Sequence, residues 1–283
     1  MPVTVRDVVA VLDDAYPRRY AEDWDAVGLV CGDVEAKVSS VLLTVDVTDA
    51  VVDQALACGA DLVVAHHPLL LRAVHGVGTD TDKGRLLHRL ITGGCGLFTA
   101  HTNADVAAPG VSDALARTIG LTDLAPLDPR PDDPKGADPG QDDAATTRGM
   151  GRVGMLPQPM GLQAFAEHVA KVLPRTNGGI RLAGPVHAQV HRVAVCGGSG
   201  ETLLGAARAA GADVFVTADL RHHPVSDAMA AGGPWLVDVP HWASEWPWLM
   251  GARERVLSSL DPLGEHLDVV VSRTVTDPWT SRA

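Results

Sequence analysis

The chain repeats part of itself, and that repeat limits its folds more than any other feature. Shifting residues 38–65 by 152 positions, without a gap, lays Val38 on Val190, Val41 on Val193, Ala55 on Ala207, Ala57 on Ala209 and Val64 on Val216. Gly59-Ala60-Asp61 falls on Gly211-Ala212-Asp213, which completes eight identities. The first copy reads as a strand at 41–45, a helix at 50–57 closed by Gly59, and a short buried strand at 62–65. Strand–helix–strand is the signature of a parallel sheet. Kept in register across a whole unit, it predicts two similar α/β domains with mostly parallel sheets flanked by helices.

The rest of the chain fits that class. Apolar spacing predicts helices over Val5–Ala15, Gly84–Ile91, Val111–Ile119 and Leu162–Leu173, and strands at Gly96–Ala100, Gly151–Leu156, Val190–Cys196, Val214–Thr217, Trp235–Val239 and Leu267–Val271. Residues 23–29 read as a loop. Residues 126–147 hold five prolines and six aspartates with one large apolar residue, Leu127. Such a stretch buries too little to order itself and is expected to be a linker or surface loop. The expected division is a first domain of residues 1–125 with 233–283, the acidic linker, and a second domain of residues 148–232.

Composition excludes several classes. The 283 residues carry 23 basic and 35 acidic side chains, and no Lys/Arg-rich run is present, so nothing supplies the basic face that duplex nucleic acid requires. Aromatics are 4%, too few for base-stacking platforms. Cys31, Cys58, Cys95 and Cys196 form no CxxC pair. They are expected to be small buried hydrophobes in a reducing compartment. No signal peptide and no apolar run of about 20 residues is visible, which points to a cytoplasmic protein without a membrane partner.

Functional groups in α/β sheets gather at the carboxyl ends of strands. Three predicted strand ends carry imidazole and carboxylate. The strand at 62–65 runs into His66-His67, the strand at 96–100 into His101 with Asp105 four residues on, and the strand at 235–239 into His241 with Glu245 four residues on. These donors suit zinc, manganese, iron, cobalt or nickel. A helical turn at 241 would place His241 and Glu245 on one face. In extended chain, His66 and His67 would point to opposite sides and serve two ions better than one.

Weaker signals accompany these. The turn at Gly197, Gly198, Ser199 and Gly200 offers backbone amides to a phosphate, although a tight strand-to-helix turn explains the glycines equally well. Asp219 with His222 and His223 follows the second repeat, either facing the same cleft or acting as a helix cap beside surface histidines. Trp235, Trp242, Trp246 and Trp248 crowd the sequence around Glu245, with core packing as the default reading.

Six phrases carry a resemblance. They are Trp24-Asp25-Ala26-Val27-Gly28-Leu29, GADLVVAHHPLL (59–70), AHTNAD (100–105), CGGSG (196–200), DVFVTAD (213–219) and HWASE (241–245). Together they resemble the Nif-three-like dinuclear-metal-centre proteins, also called GTP cyclohydrolase I type 2 homologues. The resemblance implies two α/β domains, two divalent metal ions in a cleft between them and a homohexameric ring. It implies one ion on His67, Asp105 and Glu245 and another on His66, His241 and Glu245, with Glu245 as the bridge. The metal itself is left open (Zn, Mn, Fe, Co, Ni or Mg). The sequence departs from the family at Pro240 and Ala218, where glycines are usual.

The function expected from these features is metal-dependent hydrolysis of a small phosphorylated or nucleotide-like substrate. His101, His223 and Asp219 are the candidates for handling protons. The alternative is a non-enzymatic metal-binding ring that carries metal or serves as a regulatory or assembly partner.

Overall fold

The computed structural model describes residues 2–130, 148–260 and 267–282 and divides into two compact units. The first comprises Met1–Ala104 with Leu249–Thr276, the second Asp105–Trp248 with Asp277–Ala283.

The first unit opens with α1 (Val5–Ala15), whose start is fixed by a reciprocal capping box between Thr4 and Asp7. Next come β1 (Gly28–Cys31), β2 (Ser40–Thr44), α2 (Asp49–Ala57), β3 (Leu62–Ala65), α3 (Asp82–Thr92), β4 (Gly96–Thr99) and α4 (Thr102–Val106), the last running across the division between units. Its sheet has the order β1-β4-β3-β2-β11, where β11 is Asp268–Val271. All pairings are parallel except β1 with β4. The central strands β2, β3 and β4 are buried almost end to end, as both-face burial demands of a parallel sheet.

The second unit holds α5 (Val111–Ile119), β5 (Thr122–Pro129), β6 (Gly149–Gly161), α6 (Leu162–Val172), β7 (Arg181–Ala183), β8 (Gln189–Ser199), α7 (Leu204–Ala209), β9 (Val214–Ala218), α8 (His222–Ala230) and β10 (Trp235–Asp238), followed by the first turns of α9 (His241–Leu260). Its sheet has the order β5-β6-β8-β9-β10-β7. Alternate residues enter two separate cores: Val193, Val195, Val214 and Val216 pack with Leu115, Phe165 and Val169. Ala194, Cys196 and Phe215 pack with Ala207, Val225 and Met229. Fully burying each Val, Leu or Phe is worth about 1.5–3 kcal/mol, so both faces contribute.

The repeat holds in register. Val41 pairs with Leu62 and Leu43 with Val64; 152 positions later Val193 pairs with Val214 and Val195 with Val216. Asp61 Oδ2 accepts hydrogen bonds from the amides of Ser39 and Ser40 at 2.7 and 3.1 Å. Asp213 Oδ2 accepts them from His191 and Arg192 at 2.9 and 2.8 Å. The glycines that close the two helices, Gly59 and Gly211, have φ of +68° and +67°.

Several expectations change. The second sheet is mixed, because β5–β6, β6–β8 and β10–β7 are antiparallel. Residues 126–129 belong to β5 and not to a linker; residues 131–147 lie outside the described residues. Sheet pairing puts β5 and β10 in the second unit, although the expected bounds gave both to the first, apart from the last residues of β5. All four cysteines are free, but Cys58 is exposed rather than buried. Among the described residues no helix is long and apolar enough to cross a membrane.

Candidate metal centre

In the first unit, three histidines converge where β3 and β4 end. The ring centroids of His66 and His67 are 5.0 Å apart, those of His66 and His101 5.2 Å, and those of His67 and His101 5.5 Å. One ligand atom from each lies within 4.8 Å of the others. The expectation that His66 and His67 face opposite sides is therefore overturned. The strand stops at Ala65, so alternation no longer applies at the next two residues.

Each ring is held at the same atom. His66 Nδ1 donates to the Ala100 carbonyl at 2.9 Å, His67 Nδ1 to Asp46 Oδ1 at 2.7 Å and His101 Nδ1 to Asp25 Oδ1 at 2.8 Å. A carbonyl or carboxylate can only accept, so each Nδ1 carries the proton. In the neutral ring Nε2 is then the lone-pair nitrogen, the state a metal requires.

The loop at residues 22–25 clamps this arrangement. The Asp25 side chain is fully buried. It accepts hydrogen bonds from His101, from the Thr102 amide at 3.0 Å and from the Thr102 hydroxyl. Burial pushes its carboxyl upward, but these bonds prevail and hold it well below the usual carboxylate range. Buried Asn103 donates to the Tyr16 carbonyl at 2.6 Å and accepts from the His101 amide at 2.8 Å. Trp24 stands edge-on to His101 with ring centroids 6.0 Å apart.

In the second unit, α9 starts at His241, and one turn brings Glu245 Oε1 to 2.9 Å from His241 Nε2. The helical spacing anticipated from sequence is what joins them. Asp219 Oδ2 accepts from His241 Nδ1 at 2.6 Å, so this fourth histidine is backed like the other three. Burial disfavours a charged His241 ring, but Glu245 and Asp219 outweigh it and raise the group to about 11. A histidine flanked by two carboxylates calls for a cation at Nε2, whether proton or metal. Asp105 and Glu245 both act on fully buried Cys196; burial foremost, then these two carboxylates, push its thiol up strongly.

The glycine turn has a different task from the expected phosphate cradle. The Gly197 amide donates to Ser112 Oγ at 3.3 Å, Gly198 to Ser244 Oγ at 2.9 Å and Gly200 to Thr217 Oγ1 at 2.8 Å. Those donors are already committed within the protein. Gly198 has φ +67°, and a Cβ there would lie 2.3 Å from Glu245 Oε1 and 3.1 Å from His241 Nε2. The turn thus makes room for the carboxylate and the imidazole.

Asp219 takes a left-handed backbone at φ +58°, which Asp tolerates better than most residues. It orients His241 and does not cap α8, whose N-cap is Arg221. His223 is exposed on the first turn of α8 with its ring against His222, centroids 5.1 Å apart. Trp242 and Trp248 are buried, in line with core packing. Sequence reasoning missed Asp46 and Asp25 as supports. Asp46 lies two residues past the end of β2, so the strand-end rule applied to a lone aspartate would have found it.

The donor chemistry fits a metal. Fixed imidazole nitrogens with nearby carboxylates suit a first-row divalent ion. An α/β chain with candidate His/Glu metal-binding groups is the class that fold and site define. The chain belongs to the Duf34/NIF3 (NGG1p interacting factor 3) family, which it matches over residues 3–278. A Streptomyces coelicolor protein named GTP cyclohydrolase 1 type 2 homolog is 48% identical over 275 residues, covering 97% of this chain and 93% of the relative. A Mycobacterium bovis protein of the same name is 38% identical, covering 99% and 97%. Crystal structures agree. A Bacillus cereus protein related to NIF3 superposes with a TM-score of 0.88 at 25% identity, and a Staphylococcus aureus protein with 0.89 at 27%. Each covers 100% of both chains.

Proposed function

We propose that this chain is a metal-dependent hydrolase acting on a small phosphorylated or nucleotide-like substrate through two divalent ions. The carrying observation is that four histidines, His66, His67, His101 and His241, are all held at Nδ1, which reserves Nε2 for a metal or a mobile proton. The name carried by the Streptomyces and Mycobacterium relatives supports a nucleotide substrate.

On the family pattern, His67, Asp105 and Glu245 would hold one ion and His66, His241 and Glu245 the other. When bound, such ions lower the pKa of water and stabilise charge on the attacked and leaving oxygens. His101 takes or returns a proton at Nε2, with Asp25 fixing its ring. Asp219 is a positioning residue for His241. His223 has no part in this reading. The assembly is a homohexamer, which light scattering checks against the 29.6 kDa of one chain.

The test is turnover. Purified chain loaded separately with zinc, manganese, iron, cobalt, nickel and magnesium is offered phosphoesters and nucleotides, GTP included. Metal-dependent hydrolysis of at least one is expected; none under any metal would overturn the hydrolase reading. One observation favours the second reading, a metal carrier or assembly partner: the Gly197, Gly198 and Gly200 amides, three of the four expected to receive phosphate, are engaged internally. Rapid loss of metal to micromolar chelator is the behaviour of a carrier, slow loss that of a catalytic centre.

A further inference from the structure

A cavity of about 470 Å³ opens within the second unit beside His241 and Asp219. Its walls come from the ends of β9 and β10, from Arg181 and from two segments, Gly178–Gly179 and 277–282. The segments are tied together by Asn177 Nδ2, which donates to the Thr280 carbonyl at 2.7 Å. Cavities of this size hold small ligands of cofactor dimensions.

The lining is uneven in a way that indicates a ligand class. Asp238 is occupied, because it binds Arg181 and accepts the Leu220 amide at 3.1 Å. Arg282 differs: among the described residues it makes no ion pair. Its guanidinium lies over Gly179, whose φ is +67° and whose Cβ would meet Arg282 Nη1 at 2.8 Å. The absence of a side chain at Gly179 therefore lets this cation sit at the cavity wall. Trp279 is 69% exposed, the most open large apolar side chain among the described residues. Arg282 is not stacked on it. An open indole, an uncommitted guanidinium and a histidine–carboxylate pair meet around one space.

We infer that this cavity binds the non-reacting part of the substrate, and that the ligand is a small anion bearing a planar ring, of the nucleoside monophosphate kind. The ring lies on the Trp279 face, since aromatic stacking accepts any base. The anionic group pairs with Arg282, whose planar fork suits phosphate. That this ligand is a substrate rests on the hydrolase reading; its binding does not.

Calorimetry on the full, metal-loaded chain tests this with AMP, GMP, adenosine and inorganic phosphate as probes. At least one nucleotide should bind more tightly than either adenosine or phosphate. Trp279→Leu should weaken that nucleotide and adenosine by about tenfold while leaving phosphate unchanged. Arg282→Met should weaken the nucleotide by about tenfold and leave adenosine unchanged. Both residues are exposed, so unchanged melting temperature and metal content confirm intact folding. Failure of both nucleotides to bind, or equal nucleotide affinity in all three forms, overturns the site. A chain that binds as expected but hydrolyses nothing keeps this site and loses the hydrolase reading. A chain that hydrolyses a phosphoester equally well in all three forms, with unaltered nucleotide binding, does the reverse.

Discussion

Gly198 and Glu245 share a space too small for one methyl group: a Cβ on Gly198 would lie 2.3 Å from Glu245 Oε1. The backbone there is left-handed as well. Gly198→Ala should cost about 1–2 kcal/mol from conformation alone, and the displaced carboxylate should lower metal occupancy. Urea denaturation with elemental analysis checks both. A variant with full stability and full metal content would show that the turn does not shape the site.

Metal stoichiometry tests the ligand assignment. Glu245→Gln keeps the shape but loses the anionic charge, so both ions should weaken and occupancy should fall close to none. His66→Ala and Asp105→Ala should each retain about one equivalent, because under that assignment each would serve one ion and the loss of one cation would relieve repulsion on the other. Retention of two equivalents by Glu245→Gln would mean that Glu245 is not the bridge.

Asp25 ties acid stability to the site. Its carboxyl is held low in the folded chain, so its contribution is present above the ordinary carboxylate pKa and lost as pH falls through the folded value. Wild type should exceed Asp25→Asn in stability at pH 7, and the gap should narrow steadily below about pH 4. Denaturant titrations at pH 7, 4 and 3 measure it; a gap that widens on acidification contradicts the assignment.

The paired aspartates of the repeat make a matched prediction. Asp61→Ala and Asp213→Ala each remove a carboxylate that accepts two strand amides. Each should cost about 1–3 kcal/mol, with metal content unchanged. Unequal costs, with one near zero, would show that the two copies do not support their strands alike.

The sequence was most legible where burial writes the pattern. Val5–Ala15 and Val111–Ile119 are helices over the expected residues, and Leu62–Ala65 is the expected strand. The strands that escaped, β1, β5 and β7, are all at sheet edges. An edge strand is defined by one neighbour and needs no apolar run. Its free side also tolerates proline, which is why Pro126 and Pro129 sit in β5 against expectation. The convergence of His66, His67 and His101 was legible because each stands just past the end of a predicted strand. Of their supports, Asp25 was not, since it reaches His101 across 76 residues and leaves no spacing to read, and Asp46, 21 residues from His67, was marked only by its place just past β2.

The repeat also gives this protein an internal control. Position 67 is a histidine held by Asp46, while its counterpart 152 residues on, Asp219, is itself the group that holds a histidine. Matched βαβ scaffolds thus present opposite partners of the same imidazole–carboxylate contact. A substitution at any position of residues 38–65 can be repeated at its counterpart, so that the cost to the scaffold is measured twice and the cost to the chemistry is their difference.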